Sequence, residues 1–210
     1  MSAPAAVLDA RGDPPPGSAL AAAVAALGAG QVIGVPTDTV YGLAVDATRS
    51  GATERVFAAK LRPRAVGLPL LVADMDEVEA VAAQVPDVAR ALMRQFWPGG
   101  LTVVLTRRAG FDIDLGDNRA TVGVRCPDHP VIRSLCRMVG PLATTSANRH
   151  GEPPATEAPA VAGLPGVDLV LDSGRCAGQP STVVDCTGPR PRLLRAGALS
   201  WEAIQAASPA

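Results

Sequence analysis

Short β-branched and apolar segments, each closed by proline, glycine or a polar turn, alternate with helical stretches of unequal length, and nothing else in this chain constrains its fold as strongly. Residues 31–35, 68–73, 101–106, 121–126, 142–145, 167–171, 182–186 and 192–194 read as strands. Residues 19–27 predict an alanine-rich helix with Ser18 as its N-cap and Gly28 and Gly30 as its stop. Further helices are expected over 53–61 and over 76–85, where Val78, Val81, Ala82 and Val85 keep helical spacing. A segment carrying Val88, Leu92 and Phe96 reads as another, ending before Pro98. Asp128 is placed to cap a helix through Val139, one helix is expected within 152–166, and Ser200 caps a terminal one. Strands and helices mix without a strict βαβ rhythm. The expected fold is therefore a single α/β domain on a largely mixed, open sheet flanked by helices. Residues 1–17, with Pro14, Pro15 and Pro16, read as a flexible lead-in to a domain spanning 18–210.

Composition narrows the function. At 210 residues and 48% apolar content, the chain has the material for a core. A net charge of −1 excludes a globally basic nucleic-acid coat and leaves room only for a local basic groove. Cys126, Cys136, Cys176 and Cys186 form no C-x-x-C pair, and His129 and His150 stand apart, so the sequence offers no zinc site. The N-terminus has no basic segment followed by a long apolar stretch, and the apolar run 19–27 is too short to span a bilayer. A cytoplasmic location with no membrane partner is expected. No Walker A loop, G-x-S-x-G elbow or H-E-x-x-H helix occurs, which leaves nucleophilic catalysis without support.

Four polar segments carry candidate chemistry. Lys60, the chain's sole lysine, opens Lys60-Leu61-Arg62-Pro63-Arg64. Cations this close repel one another unless solvated or facing an anion. Pro63 biases Arg62 toward an extended conformation, which would aim Arg62 and Arg64 at one target; a solvated turn is the competing reading. Thr37-Asp38-Thr39-Val40-Tyr41-Gly42 follows a strand and offers hydroxyls to a substrate, or else forms an Asx or Ser/Thr turn. Thr144-Thr145-Ser146-Ala147-Asn148 also follows a strand and suits phosphate or ribose contacts, with local capping as the alternative. Ser181-Thr182-Val183-Val184-Asp185 precedes a lone Arg195, free to clamp a phosphate or to snorkel to solvent.

Taken in order, these segments resemble the YrdC-type threonylcarbamoyl-AMP synthase family in its short, single-domain form. The matching stretches are PTDTVYGLAVDA (36–47), the K-x-R of Lys60 and Arg62, FWPGGLTVVL (96–105), TVGVRCPDHP (121–130), PLATTSAN (141–148), STVVD (181–185) and the LRAG around Arg195. The resemblance implies a twisted open α/β sheet with a positively charged concave face. It implies synthesis of threonylcarbamoyl-adenylate from L-threonine, bicarbonate and ATP, with release of pyrophosphate. A partner transferase complex would then pass the threonylcarbamoyl group to adenosine in certain tRNAs; a weak direct tRNA contact stays open. By the same resemblance, Thr37, Arg125, Thr144 and Ser181 would contact threonine. Lys60, Arg62, Arg64, Thr121, Ser146, Asn148 and Arg195 would contact ATP, with Lys60 and Arg62 as the catalytic pair. Mg²⁺ would act through the ATP phosphates, with no protein ligand.

Three departures from the family pattern stand out. The stretch from Lys60 to Pro69 is two residues longer than the family's, His150 replaces a small hydroxyl, and Ala196 replaces a proline. Two other readings therefore stay open at the sequence level. One is a paralogue of the same fold carbamoylating a different acceptor. The other is a non-catalytic RNA-binding module, for which an aromatic content of 3% is poor material.

Overall fold

Ten strands join into one mixed sheet in the computed structural model, which describes residues 4–208. In chain order the elements are β1 (Ala6–Asp9), α1 (Gly17–Gly28), β2 (Ile33–Val35), β3 (Gly42–Val45), α2 (Ala52–Lys60), β4 (Leu70–Leu71), α3 (Val78–Val81) and α4 (Asp87–Phe96). There follow β5 (Leu101–Thr106), β6 (Thr121–Arg125), α5 (Pro130–Val139), β7 (Leu142–Ser146), α6 (Ala158–Ala162), β8 (Leu169–Asp172), β9 (Thr182–Asp185), β10 (Arg192–Arg195) and α7 (Trp201–Ala207). Across the sheet the order is β1-β8-β2-β3-β7-β4-β6-β5-β9-β10. The pairs β1–β8, β8–β2, β4–β6 and β5–β9 run parallel. The remaining neighbours run antiparallel.

Residues two apart on a strand share a face, so every strand feeds both sides of the sheet. On one side Leu43, Leu70, Val103, Val124 and Val184 pack against Phe57 of α2, Leu92 of α4, Val161 of α6 and Ile204 of α7. On the other, Ile33, Ala44, Leu71, Leu142 and Leu169 pack against Leu27 of α1 and Ile132 and Leu135 of α5. The second side is covered only in part. Where α1 and α5 stop, the same alternation brings up Gly42 on β3, Thr144 and Ser146 on β7, Thr121, Gly123 and Arg125 on β6, and Thr102 on β5. That uncovered stretch of sheet is the floor of a cleft.

Several local expectations change. The lead-in contains β1, the edge strand, whose Ala6 to Asp9 register with Leu169 to Asp172 of β8; residues 1–3 of the lead-in and 209–210 of the domain lie outside the described residues. The helix expected over 76–85 shrinks to α3, because Ala82 turns extended and bridges Arg107 while Ala83 N donates to Thr106 O. Pairing with the end of β5 wins over helical periodicity there. Ser18 lies inside α1, which starts at Gly17 after Pro16 without a side-chain cap. His129, not Asp128, caps α5, its Nδ1 accepting from Val131 N at 3.3 Å. Segment 37–42 is a turn only in part, since Gly42 already opens the buried strand β3. The Ser200 cap is as expected, accepting from Ala203 N at 3.2 Å.

Candidate active site

The cleft measures about 500 Å³ and lies over the middle of the sheet. Small residues keep its floor low. A Cβ on Gly42 would stand 2.8 Å from Thr144 Cγ2, and one on Gly123 would stand 3.3 Å from Pro69 Cβ. Around the floor, hydroxyls and guanidiniums are tied into separate networks, each bridging elements distant in sequence.

The first joins the 37–40 turn to β6. Arg125, only 6% exposed, donates through Nη1 to Thr39 Oγ1 at 2.8 Å, through Nε to Gly99 O at 2.9 Å and through Nη2 to Asp38 Oδ1 at 2.6 Å. Thr39 Oγ1 lies 2.9 Å from Thr37 Oγ1, which in turn donates to Val40 O at 2.7 Å. The second closes the cleft at β9 and β10. Arg195 forks onto Ser181, its Nη2 reaching Ser181 O at 2.8 Å and Ser181 Oγ at 3.0 Å. Ser181 Oγ also shares a 2.8 Å hydrogen bond with Thr102 Oγ1 of β5.

The third network lies at the C-terminal end of α2. Lys60 is 1% exposed, and its Nζ donates to Ser146 O at 2.6 Å, Asn148 Oδ1 at 2.7 Å and Ser146 Oγ at 3.3 Å. Its carbonyl accepts from His150 N at 2.9 Å, so one lysine holds both ends of the 146–150 segment. In the next network, Arg62 donates to Val66 O at 2.8 Å and Gly67 O at 3.1 Å, and approaches Thr145 Oγ1 at 3.4 Å.

Positive charge accumulates along this line. Burial and then Arg62 lower Lys60 to about 8. Burial followed by Arg195 lowers Arg62, and burial followed by Arg125 lowers Arg195. Burial lowers Arg125 as well, against the raising effect of its partner Asp38. Among the described residues neither Arg62 nor Arg195 has a carboxylate partner, and no carboxylate lines the cleft. Two guanidiniums held half-desolvated without a counter-ion make a site for an anion.

The placement of the expected residues is uneven. Thr37, Arg62, Thr121, Arg125, Thr144, Ser146, Ser181 and Arg195 all line the cleft. Lys60 and Asn148 stand behind Ser146, and Arg64 turns away to Asp114 and Asp117. Thr121 is fixed by Asn118 Nδ2 at 2.9 Å, and Thr144 Oγ1 donates into its own strand at Leu142 O.

Comparison with known proteins fits this architecture. The family model Sua5/YciO/YrdC, described as telomere recombination, matches residues 25–197. This chain belongs to that family. A Mycobacterium tuberculosis relative is 43% identical over 188 residues, which make up 88% of this chain and 87% of the relative. A Chromohalobacter salexigens protein named threonylcarbamoyl-AMP synthase is 38% identical, over 79% of this chain and 91% of its own length. The crystal structure of Pyrococcus abyssi Sua5 complexed with L-threonine superposes with a TM-score of 0.87 at 32% identity; it covers 96% of this chain, which spans only 60% of that protein. The family therefore shares the sheet that carries the cleft.

Sequence reasoning gave no individual role to several polar residues of the site, and two of them, Thr102 and Asn118, lie outside the four polar segments. Thr39 and Asp38 orient Arg125, Thr102 shares the Ser181 hydroxyl, Thr145 meets Arg62, and Asn118 holds Thr121. A signal existed for Thr102: it interrupts the apolar run from Leu101 to Leu105, two positions before Val104 on the face that lines the cleft.

Proposed function

We propose that this protein makes L-threonylcarbamoyl-adenylate from L-threonine, bicarbonate and ATP, releasing pyrophosphate, as the first step of threonylcarbamoyl-adenosine formation in tRNA. One observation carries the reading: Arg62 and Arg195 face a common cleft with no carboxylate among the described residues to neutralise them, beside hydroxyls suited to a small polar substrate. Relatives bearing the name threonylcarbamoyl-AMP synthase, and the threonine complex of Pyrococcus abyssi Sua5, support it.

In this reading bicarbonate loses its hydroxide to give CO₂, the deprotonated threonine amine adds to the CO₂ carbon to form a carbamate, and the amine proton leaves with the hydroxide as water. A carbamate oxygen attacks the α-phosphorus of ATP, and the bond to the β-phosphate oxygen breaks to release pyrophosphate. No protein nucleophile takes part, so the chain contributes by assembling reactants, an effect worth about 7–11 kcal/mol at best. Arg62 and Arg195 neutralise charge on the phosphates, while Ser181, Thr37, Thr144 and Arg125 receive threonine. The lining offers hydroxyls and guanidiniums but no carboxylate, so it does not form a protein-held Mg²⁺ site. Mg²⁺ enters as the counter-ion of the ATP phosphates, and no step above runs through it. A separate transferase would carry the product to tRNA. A binding-only RNA module gains little from the cleft, because Tyr41 is fully buried with its hydroxyl donating to Gly174 O at 2.8 Å.

The test is incubation with ATP, Mg²⁺, L-threonine and labelled bicarbonate, each omitted in turn, following pyrophosphate and labelled nucleotide. Product that needs every reactant establishes the synthase. ATP binding without product transfers the search to other amines as acceptors.

A further inference from the structure

Two loops build one wall of the cleft, and the Arg64 side chain ties them together. The loop from Leu61 to Pro69 brings Arg62, Val66 and Leu68 to the cleft, and the β5–β6 loop brings Leu115 and Asn118. Arg64 Nη2 reaches both oxygens of Asp114, at 2.8 and 2.6 Å, and its Nε lies 3.4 Å from Asp117. The guanidinium carbon stands 4.9 Å over the Phe57 ring of α2. Backbones close at the same point: Asp117 N donates to Arg64 O at 3.0 Å, and Leu68 N donates to Leu115 O at 2.8 Å. Gly116, at φ +114°, passes so near that a Cβ there would run into Arg64 O. Asp114 is itself anchored by Gly116 N at 3.0 Å. Burial acts to raise its carboxyl, and the hydrogen bonds from Arg64 and Gly116 outweigh this and hold it below the ordinary range.

The tie bears on Arg62. That guanidinium hangs on Val66 O and Gly67 O, two carbonyls of the same loop just beyond Arg64, so the path of the loop sets its aim. A loop of nine residues, 61–69, has many conformations to restrict. We infer that Arg64 is a positioning residue: paired with Asp114, it holds the 61–69 loop on the β5–β6 loop and thereby aims Arg62 into the cleft, without touching the nucleotide itself. The inference rests on reading the cleft as an ATP site.

Arg64→Ala, Asp114→Ala and the double variant separate a tie from a ligand. The pair is partly exposed, 37% for Arg64 and 27% for Asp114, and thermal unfolding measured beside the kinetics checks that each variant keeps its fold. Amide hydrogen exchange without substrates should rise in both loops in all variants. In pyrophosphate release, each single substitution should raise the KM for ATP about tenfold with a smaller change in kcat, and the double variant should be no worse than either. The decisive arm is Asp114→Ala, which removes the carboxylate that holds Arg64 at 2.8 and 2.6 Å and leaves it the longer 3.4 Å approach to Asp117. A nucleotide-binding arginine would then hold ATP at least as well as before, so an unchanged or lowered KM overturns the inference. Unchanged exchange of residues 61–69 in Arg64→Ala overturns it too. A wild-type protein that releases no pyrophosphate defeats the reading of the reaction instead, while the exchange comparison still decides the tie.

Discussion

Lys60 has three acceptors and almost no solvent: Ser146 O, Ser146 Oγ and Asn148 Oδ1 surround an ammonium in a residue 1% exposed. An ammonium satisfies all of them, whereas a neutral amine has one donor fewer. Burial and the neighbouring Arg62 lower the group to about 8 from its ordinary 10.5. Affinity for ATP should therefore weaken as pH rises through about 8, as the 146–150 segment loses a hydrogen bond. Folding moves the other way for this group. Between the folded and ordinary values the unfolded chain binds more protons, so its contribution to stability rises with pH across that window. Binding of a non-hydrolysable ATP analogue, followed from about pH 7 to about 9.5, checks this in wild type and Lys60→Met. The variant should bind weakly at every pH, and a flat wild-type profile would refute the assignment. Arg62 differs in kind, because it lines the cleft and has no carboxylate partner. Arg62→Ala should lower pyrophosphate release by about 10²–10³-fold while thermal unfolding stays near wild type. Turnover within a few-fold of wild type would remove Arg62 from the phosphate site.

The hairpin of β9 and β10 shows how an element can hold a site in register. Gly197 follows β10, and a Cβ there would overlap the carbonyl oxygen of Pro180 and the carbonyl group of Ser181. These are backbone atoms, so no rotamer change relieves the clash. The same approach lets Ala198 N donate to Pro180 O at 2.8 Å and lets Arg195 fork onto Ser181. Gly197→Ala should cost about 1–3 kcal/mol of stability and, by moving Ser181 and Arg195 apart, lower catalysis further than the stability loss explains. Chemical denaturation beside threonine and ATP kinetics separates the two effects; unchanged kinetics in a destabilised protein would show that the hairpin does not set the site. Elements also mark where sequence periodicity loses. Val78, Val81 and Ala82 are buried as helical spacing demands, yet Ala82 reaches that burial in an extended conformation because the end of β5 offers it a partner. Strand pairing depends on what lies across the sheet, which a local window does not contain. The segment 42–45 was obscured in the same way: its preceding hydroxyls read as a turn, while Gly42 to Ala44 pair with Val35 to Ile33 on one side and Gly42 to Val45 with Ser146 to Ala143 on the other.

Over the whole molecule, the residues that line the cleft come from the central and β9–β10 strands and from the loops around 37–41, 62–69 and 115–118, spread from Thr37 to Arg195, and the motif segments were legible because each lies at the end of a strand or helix or on the open face. The order of strands was not legible, and with it the separation of Lys60, Asn148 and Arg64 from the cleft lining. Charge spacing brings Arg62 and Arg64 to one side of an extended stretch, but Asp114, fifty positions away, draws Arg64 off that side. β1 was hidden for a different reason. Its apolar stretch, Ala5 to Leu8, is short and sits in the lead-in ahead of Pro14 to Pro16; the strand is mostly exposed and holds its place through backbone pairing with β8. That makes the strand a test of what the edge contributes. Removing residues 1–10 deletes the pairing of Ala6 to Asp9 and the bond from Ala10 N to Asp172 O, yet removes little core, since among the described residues 4–10 Ala10 is the one that is fully buried. The truncated protein should keep its fold and lose stability in proportion, each 1 kcal/mol appearing as a fall of about 2–4 °C in Tm. The bared edge of β8 is then open to a second copy, and association should grow with concentration in light scattering. Pyrophosphate release at low temperature should persist, because β1 lies at the far side of the sheet from β9 and β10. Complete unfolding on truncation would mean instead that the edge strand nucleates the sheet.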